Sequence, residues 1–102
     1  VSFTLRLLNS ARAELTEAAG WYESREALLG QDFLDQVTAC FEQIEADPTR
    51  FAPDESFGDR VVRTCMVDRF PYRVIFEVRS EEVAILAIAH HRRRPGYWRE
   101  RT

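Results

Sequence analysis

Seven consecutive apolar residues, Val83 to Ala89, make the longest apolar run in the chain and limit the folds open to it. The run has strand length, far short of the ~20 residues needed to span a bilayer. A strand that is apolar on both faces has to be covered on both, so Val83–His90 is expected to be the central strand of a sheet. The remaining elements must supply its neighbours and its cover.

Patterning supplies both. Tyr72–Arg79 alternates, with Tyr72, Val74, Phe76 and Val78 facing one way and Arg73, Ile75, Glu77 and Arg79 the other. Arg60–Val67 reads as the strand before it, with turns at Asp68–Pro71 and Ser80–Glu82. Phe3–Leu8 alternates as a short first strand. Between them the period changes to that of a helix. Leu15, Ala18, Ala19 and Tyr22 share one face of a helix capped by Ser10 and stopped by Gly30. Phe33, Val37, Cys40, Phe41 and Ile44 share a face of a second helix, which starts at Gln31 or Asp32 and ends at Pro48. Gly20 falls within the first helix, marking either close packing or a kink beside Trp21. Thr49–Asp59 reads as a loop. The predicted class is α+β in the order β-α-α-β-β-β, a helical hairpin on one face of a small, mostly antiparallel twisted sheet. The opposite face is expected to stay open and to carry the arginines of the second half.

At 102 residues the chain fits one domain, residues 1–102. It begins with Val rather than Met, so its natural start is expected upstream, and nothing at the beginning reads as a secretion signal. The net charge of −3 hides a split. Residues 1–59 hold 12 acids and 4 arginines, whereas residues 60–102 hold 5 acids and 10 arginines. All 14 basic residues are Arg, whose planar fork suits carboxylates and phosphates. The second half can therefore meet a polyanion or an acidic partner. Cys40 and Cys65 have no ligand neighbours at zinc-site spacing and read as two separate reduced core thiols. That makes a cytoplasmic protein the expectation. No dinucleotide, phosphate-loop or serine-nucleophile motif occurs, so no cofactor or metal is implied.

In its order of elements and in four stretches of text the chain resembles the RelE/ParE toxins of type II toxin–antitoxin systems. The stretches are Ala11–Tyr22, Leu29–Phe33, Phe70–Phe76, and Ala87–His90 followed by Arg92, Arg94, Pro95, Tyr97 and Trp98. The ending is similar to that of ParE-like plasmid-stabilisation proteins. The resemblance implies a growth-arresting toxin bound by a ParD-like antitoxin whose disordered segment folds on it, giving a hetero-oligomer. Leu15, Trp21, Tyr22, Phe33 and Val37 are the candidate antitoxin contacts.

Family members either inhibit DNA gyrase or cut mRNA on the ribosome. RNA cleavage in the family needs no metal and uses positive side chains with a general acid–base pair. By that resemblance the candidate catalytic residues are Arg73, His90, Arg92 and Tyr97. The candidate target or anion contacts are Arg63, Arg73, Arg92, Arg94 and Trp98. Nuclease members also carry a lysine pair on the preceding strand. Here that strand offers Arg60 and Arg63, then Thr64, Cys65 and Met66, so the pair is missing. Gyrase inhibition is the expected activity, with mRNA cleavage as the alternative and a non-toxic antitoxin-binding remnant as the third. The nuclease alternative needs Arg73, His90 and Arg92 to converge near one sheet face.

Overall fold

The computed structural model describes residues 3–54 and 60–102; the 55–59 part of the predicted loop, Ser56 and Gly58 included, lies outside the described residues. The described elements run β1 (Thr4–Leu7), α1 (Asn9–Arg25), α2 (Leu29–Ala46), a 3-10 turn (Pro48–Arg50), β2 (Pro53–Asp54), β3 (Val62–Met66), β4 (Tyr72–Arg79) and β5 (Glu82–His90). The strands form one mixed sheet in the order β1-β5-β4-β3-β2. β1 is parallel to β5, and the other pairings are antiparallel. The predicted class and order hold, with β2 added from within the expected loop. Its two residues pair with Arg63 and Val62.

Helix boundaries differ from the expectation for local reasons. α1 begins at Asn9 with Leu8 at its N-cap, and no side chain caps it, so Ser10 lies inside the helix. Gly30 does not stop α1; it sits in the first turn of α2, buried under α1. A Cβ there would lie 2.5 Å from the Ala19 carbonyl oxygen and 3.0 Å from Glu23 Cβ. Glycine at this point lets the two helix backbones approach closely. Glu23 then closes the junction, accepting the Leu28 and Gly30 backbone N–H groups at 3.0 Å each. One carboxylate thus serves two otherwise unpaired donors at the start of α2. Gly20 has open space around it, so it does not serve close packing, and α1 runs on past it to Arg25.

The hairpin packs on one face of the sheet. Phe33, Val37, Cys40 and Ile44 from α2 and Ala11 and Ala18 from α1 meet Val74, Phe76, Val83, Ile85 and Ile88. The other face is not open. Leu8, Val62, Ile75, Ala84, Leu86, Ala87 and Ala89 make a second core with Trp98, which is only 1% exposed. The chain after β5 folds back across this face, as a central strand apolar on both sides requires. A set of charges pins the tail. Glu77 takes two hydrogen bonds from Arg60, at 2.9 and 3.1 Å, and another two from Arg79. Arg60 also donates to the Arg99 carbonyl at 2.8 Å and lies over the Trp98 ring.

β5 carries one extra residue. Ile75 pairs with Ala87 and Phe76 with Ile85, so Leu86 is bulged out of register. The bulge resets the alternation. Val83 and Ile85 face the helices before it, and Ile88 and His90 do so after it.

Gly30→Ala should lower stability by about 2 kcal/mol through overpacking, while Gly20→Ala should raise it by up to about 1 kcal/mol; urea unfolding of both measures the contrast. The Glu77 carboxyl is held below its ordinary value, chiefly by its hydrogen bond with Arg60. A depressed carboxyl stabilises above its unfolded pKa, and the contribution is lost as pH falls through the folded value. Glu77→Gln should therefore lower Tm at neutral pH, and the gap to the parent protein should close below about pH 4.

Candidate functional site

The described residues leave a cleft of about 720 Å³ where α1 passes the C-terminal end of β5. One wall is α1, contributing Glu14, Glu17, Ala18, Trp21 and Tyr22. The other is Pro71, Tyr72, Ile88 and His90, and the lip is His91, Arg92 and Arg93. Strand alternation alone would turn His90 to the tail face; the bulge at Leu86 brings it round to the cleft.

Aromatic packing makes the floor. Tyr22 lies edge-on to Phe70 with ring centroids 4.9 Å apart, and Phe33 meets Phe70 at 5.2 Å and Tyr72 at 5.0 Å. Tyr72 in turn stands edge-on to His90 at 5.0 Å. Burial raises the pKa of both Tyr22 and Tyr72, so their hydroxyls stay protonated. His90 is fixed from its other side, because Nδ1 accepts the Arg92 backbone N–H at 3.0 Å. Trp21 is half exposed at 53%, with the Arg25 guanidinium 4.7 Å from its ring centre. The cleft therefore has an apolar, aromatic interior and a cationic lip, facing two carboxylates on α1.

Glu14 ties the cleft to the tail. Its Oε1 accepts the Ile88 N–H at 3.0 Å, and its Oε2 accepts the Tyr97 hydroxyl at 2.7 Å. Arg101 donates to both oxygens, at 2.8 and 3.1 Å, and also to the Leu86 carbonyl at 3.1 Å. Burial and then the hydrogen bond to Glu14 push the Tyr97 hydroxyl well above its ordinary pKa. Glu14 likewise raises Arg101.

Among the sequence-derived candidates, the structure brings His90 and Arg92 together with Trp21 and Tyr22 in the cleft. Arg73 is not with them. It pairs across to Ala89, on the tail face of the sheet, while its neighbour Tyr72 pairs with His90 on the helix face. Successive residues of a strand point to opposite faces, so Arg73 and His90 cannot share a site. Glu77, on the same strand face as Arg73, pairs with Arg60 and Arg79. Arg63 turns inward and donates to the Phe51 carbonyl at 2.6 Å. Tyr97 commits its hydroxyl to Glu14 and stacks under Arg93, 4.0 Å from its ring centre, and Trp98 is buried in the second core. Arg94 is exposed on the tail, outside the cleft. Phe33 and Val37 are 0% and 1% exposed, so they support the surface without presenting any of it; Leu15 is half-buried.

Glu14, Glu17, Pro71 and Tyr72 line the cleft without having been singled out as site residues from the sequence. Glu14 left a signal. It falls three residues after Ala11 and four before Ala18, the two buried positions of α1, which puts a carboxylate on the buried stripe. Among the described residues no three His, Cys, Asp or Glu side chains gather as a metal ion would require, and no helix is long and apolar enough to cross a membrane.

A sequence model of the ParE toxin of the type II toxin–antitoxin system parDE matches residues 5–95. Among solved structures, a chain of the chromosomal ParDE TA system from P. aeruginosa superposes with a TM-score of 0.74 at 20% identity. The match covers 87% of this chain and 96% of that one, a likeness of fold. No curated protein matches the chain by sequence.

Glu14→Ala strands the Ile88 N–H and unpairs Arg101, and should cost about 2–4 kcal/mol. Tyr97→Phe, which removes one hydrogen bond, should cost about 1 kcal/mol. Denaturant unfolding ranks the two.

Proposed function

We propose a function from one premise: the chain belongs to the family of ParE toxins of type II toxin–antitoxin systems. It is the toxin of such a pair, with an antitoxin as its partner. Beyond that, it acts in the cytoplasm by inhibiting DNA gyrase, and a ParD-like antitoxin neutralises it.

The antitoxin assignment is supported by the cleft beside α1. Trp21, Tyr22 and Tyr72 offer apolar surface for anchors from a folding segment, and Arg92 and Arg93 offer charge for its acids. Leu15, Trp21 and Tyr22 are the contacts on α1, and Phe33 and Val37 hold the floor beneath them.

One observation favours gyrase over mRNA. Phosphate-transfer chemistry needs its cationic and acid–base groups around one reacting centre. Arg73 and His90 lie on opposite faces of the sheet, and the Tyr97 hydroxyl is already bound to Glu14. His90 and Arg92 do share the cleft, which keeps the nuclease as a second reading with a different pair of residues.

Purified toxin at micromolar concentration should lower gyrase supercoiling and leave mRNA intact in a translating extract. Unchanged supercoiling together with mRNA cleavage, lost in the His90→Ala and Arg92→Ala variants, would replace this assignment with the nuclease. Adding the antitoxin should restore supercoiling.

A further inference from the structure

Cys40 on α2 and Cys65 on β3 lie 25 positions apart in the chain, yet the fold brings their sulfurs to 2.9 Å. Both thiols are free and buried, at 2% and 3% exposure. They belong to the helix-side core with Val37, Ile44, Val67 and Val74. The sulfurs are within about 1 Å of the bonded separation of about 2.05 Å. Neither lines the cleft, and the toxin function leaves both unused.

We infer that Cys40 and Cys65 are a thiol–disulfide modification site, closing to an intramolecular disulfide when a peroxide oxidises the protein. Cys65 ionises first. The hydrogen bond shared with Cys40 favours its thiolate, the Arg50 charge adds to this, and burial opposes it. The same pairing, with burial, pushes Cys40 up. The Cys65 thiolate attacks one peroxide oxygen. An S–O bond forms, the O–O bond breaks, and hydroxide leaves to take up the proton Cys65 released, giving water. The Cys40 sulfur then attacks the Cys65 sulfenic sulfur. The S–S bond forms, the S–O bond breaks, and the departing hydroxide leaves as a second water with the Cys40 proton. The two thiols have lost two electrons and the peroxide has gained them. A resolving thiol already in contact intercepts the sulfenic acid before it oxidises further.

The link ties α2 to β3 and closes a loop that contains the 3-10 turn and β2. Closing such a loop restricts the unfolded chain and so stabilises the folded one.

The test treats the purified full chain with hydrogen peroxide, then denatures it in iodoacetamide and weighs it. The expected product is lighter by about 2 Da, the two lost hydrogens. It takes up no alkyl group and yields a Cys40–Cys65 cross-linked peptide on proteolysis. Its Tm should rise by more than about 5 °C and return on adding dithiothreitol. Cys40→Ser and Cys65→Ser should each abolish the cross-link. Two alkylated thiols in the treated wild-type chain would overturn the proposal. So would a sulfinic acid at one cysteine with the other free, or a link only between chains.

Discussion

The fold depends on satisfying the backbone of β5 past the end of its parallel neighbour. β1 pairs with β5 only from Glu82 to Ile85, and the strand continues five residues further with apolar side chains on both faces. A buried N–H or carbonyl there without a partner costs as much as a lost hydrogen bond. Glu14 and Arg101 stand where a strand would be, one accepting from Ile88 and the other donating to Leu86. The pair comes from opposite ends of the chain, so this substitution also fixes where α1 crosses the sheet and where the tail lies. The ion pair is part-buried and keeps several hydrogen bonds, conditions under which the cost of desolvating charge is offset.

Two departures from regular geometry then make a site from this frame. The Leu86 bulge turns His90 toward α1, and Gly30 lets α2 press under α1, where Phe33 packs against Tyr22 and Tyr72 beneath the cleft. The walls of the cleft are thus mostly packed helix and strand, and its aromatic lining is continuous with the core. Its cations come from the turn after β5, while the guanidinium groups of Arg60, Arg79 and Arg101 are occupied in holding the tail.

Period and length made the class, the order of elements and most of the core legible in advance. The face shared by Phe33, Val37, Cys40 and Ile44 is one example, and the limits of Tyr72–Arg79 are another. What stayed hidden was long-range. The run from Val83 to Ala89 already demanded cover on both faces, but residue spacing does not single out Trp98, which follows an arginine run and a Pro-Gly break, as the second cover. The split between Arg73 and His90 follows from a bulge that leaves no trace in the alternation of an all-apolar strand. Gly30 sits where a helix stop and a close approach give the same residue. The contact of Cys40 with Cys65 depends on how α2 lies over the sheet, which residue spacing does not encode.

The second core has a consequence for how the protein is made. β1 and Leu8 are synthesised before their partner β5, and Trp98 later still. Contacts so distant in sequence form late. While residues 82–98 remain inside the ribosome, the nascent chain has its helices but neither the centre of its sheet nor the cover for its second face. The cleft is therefore finished only once β5 and the segment that follows it have joined the fold.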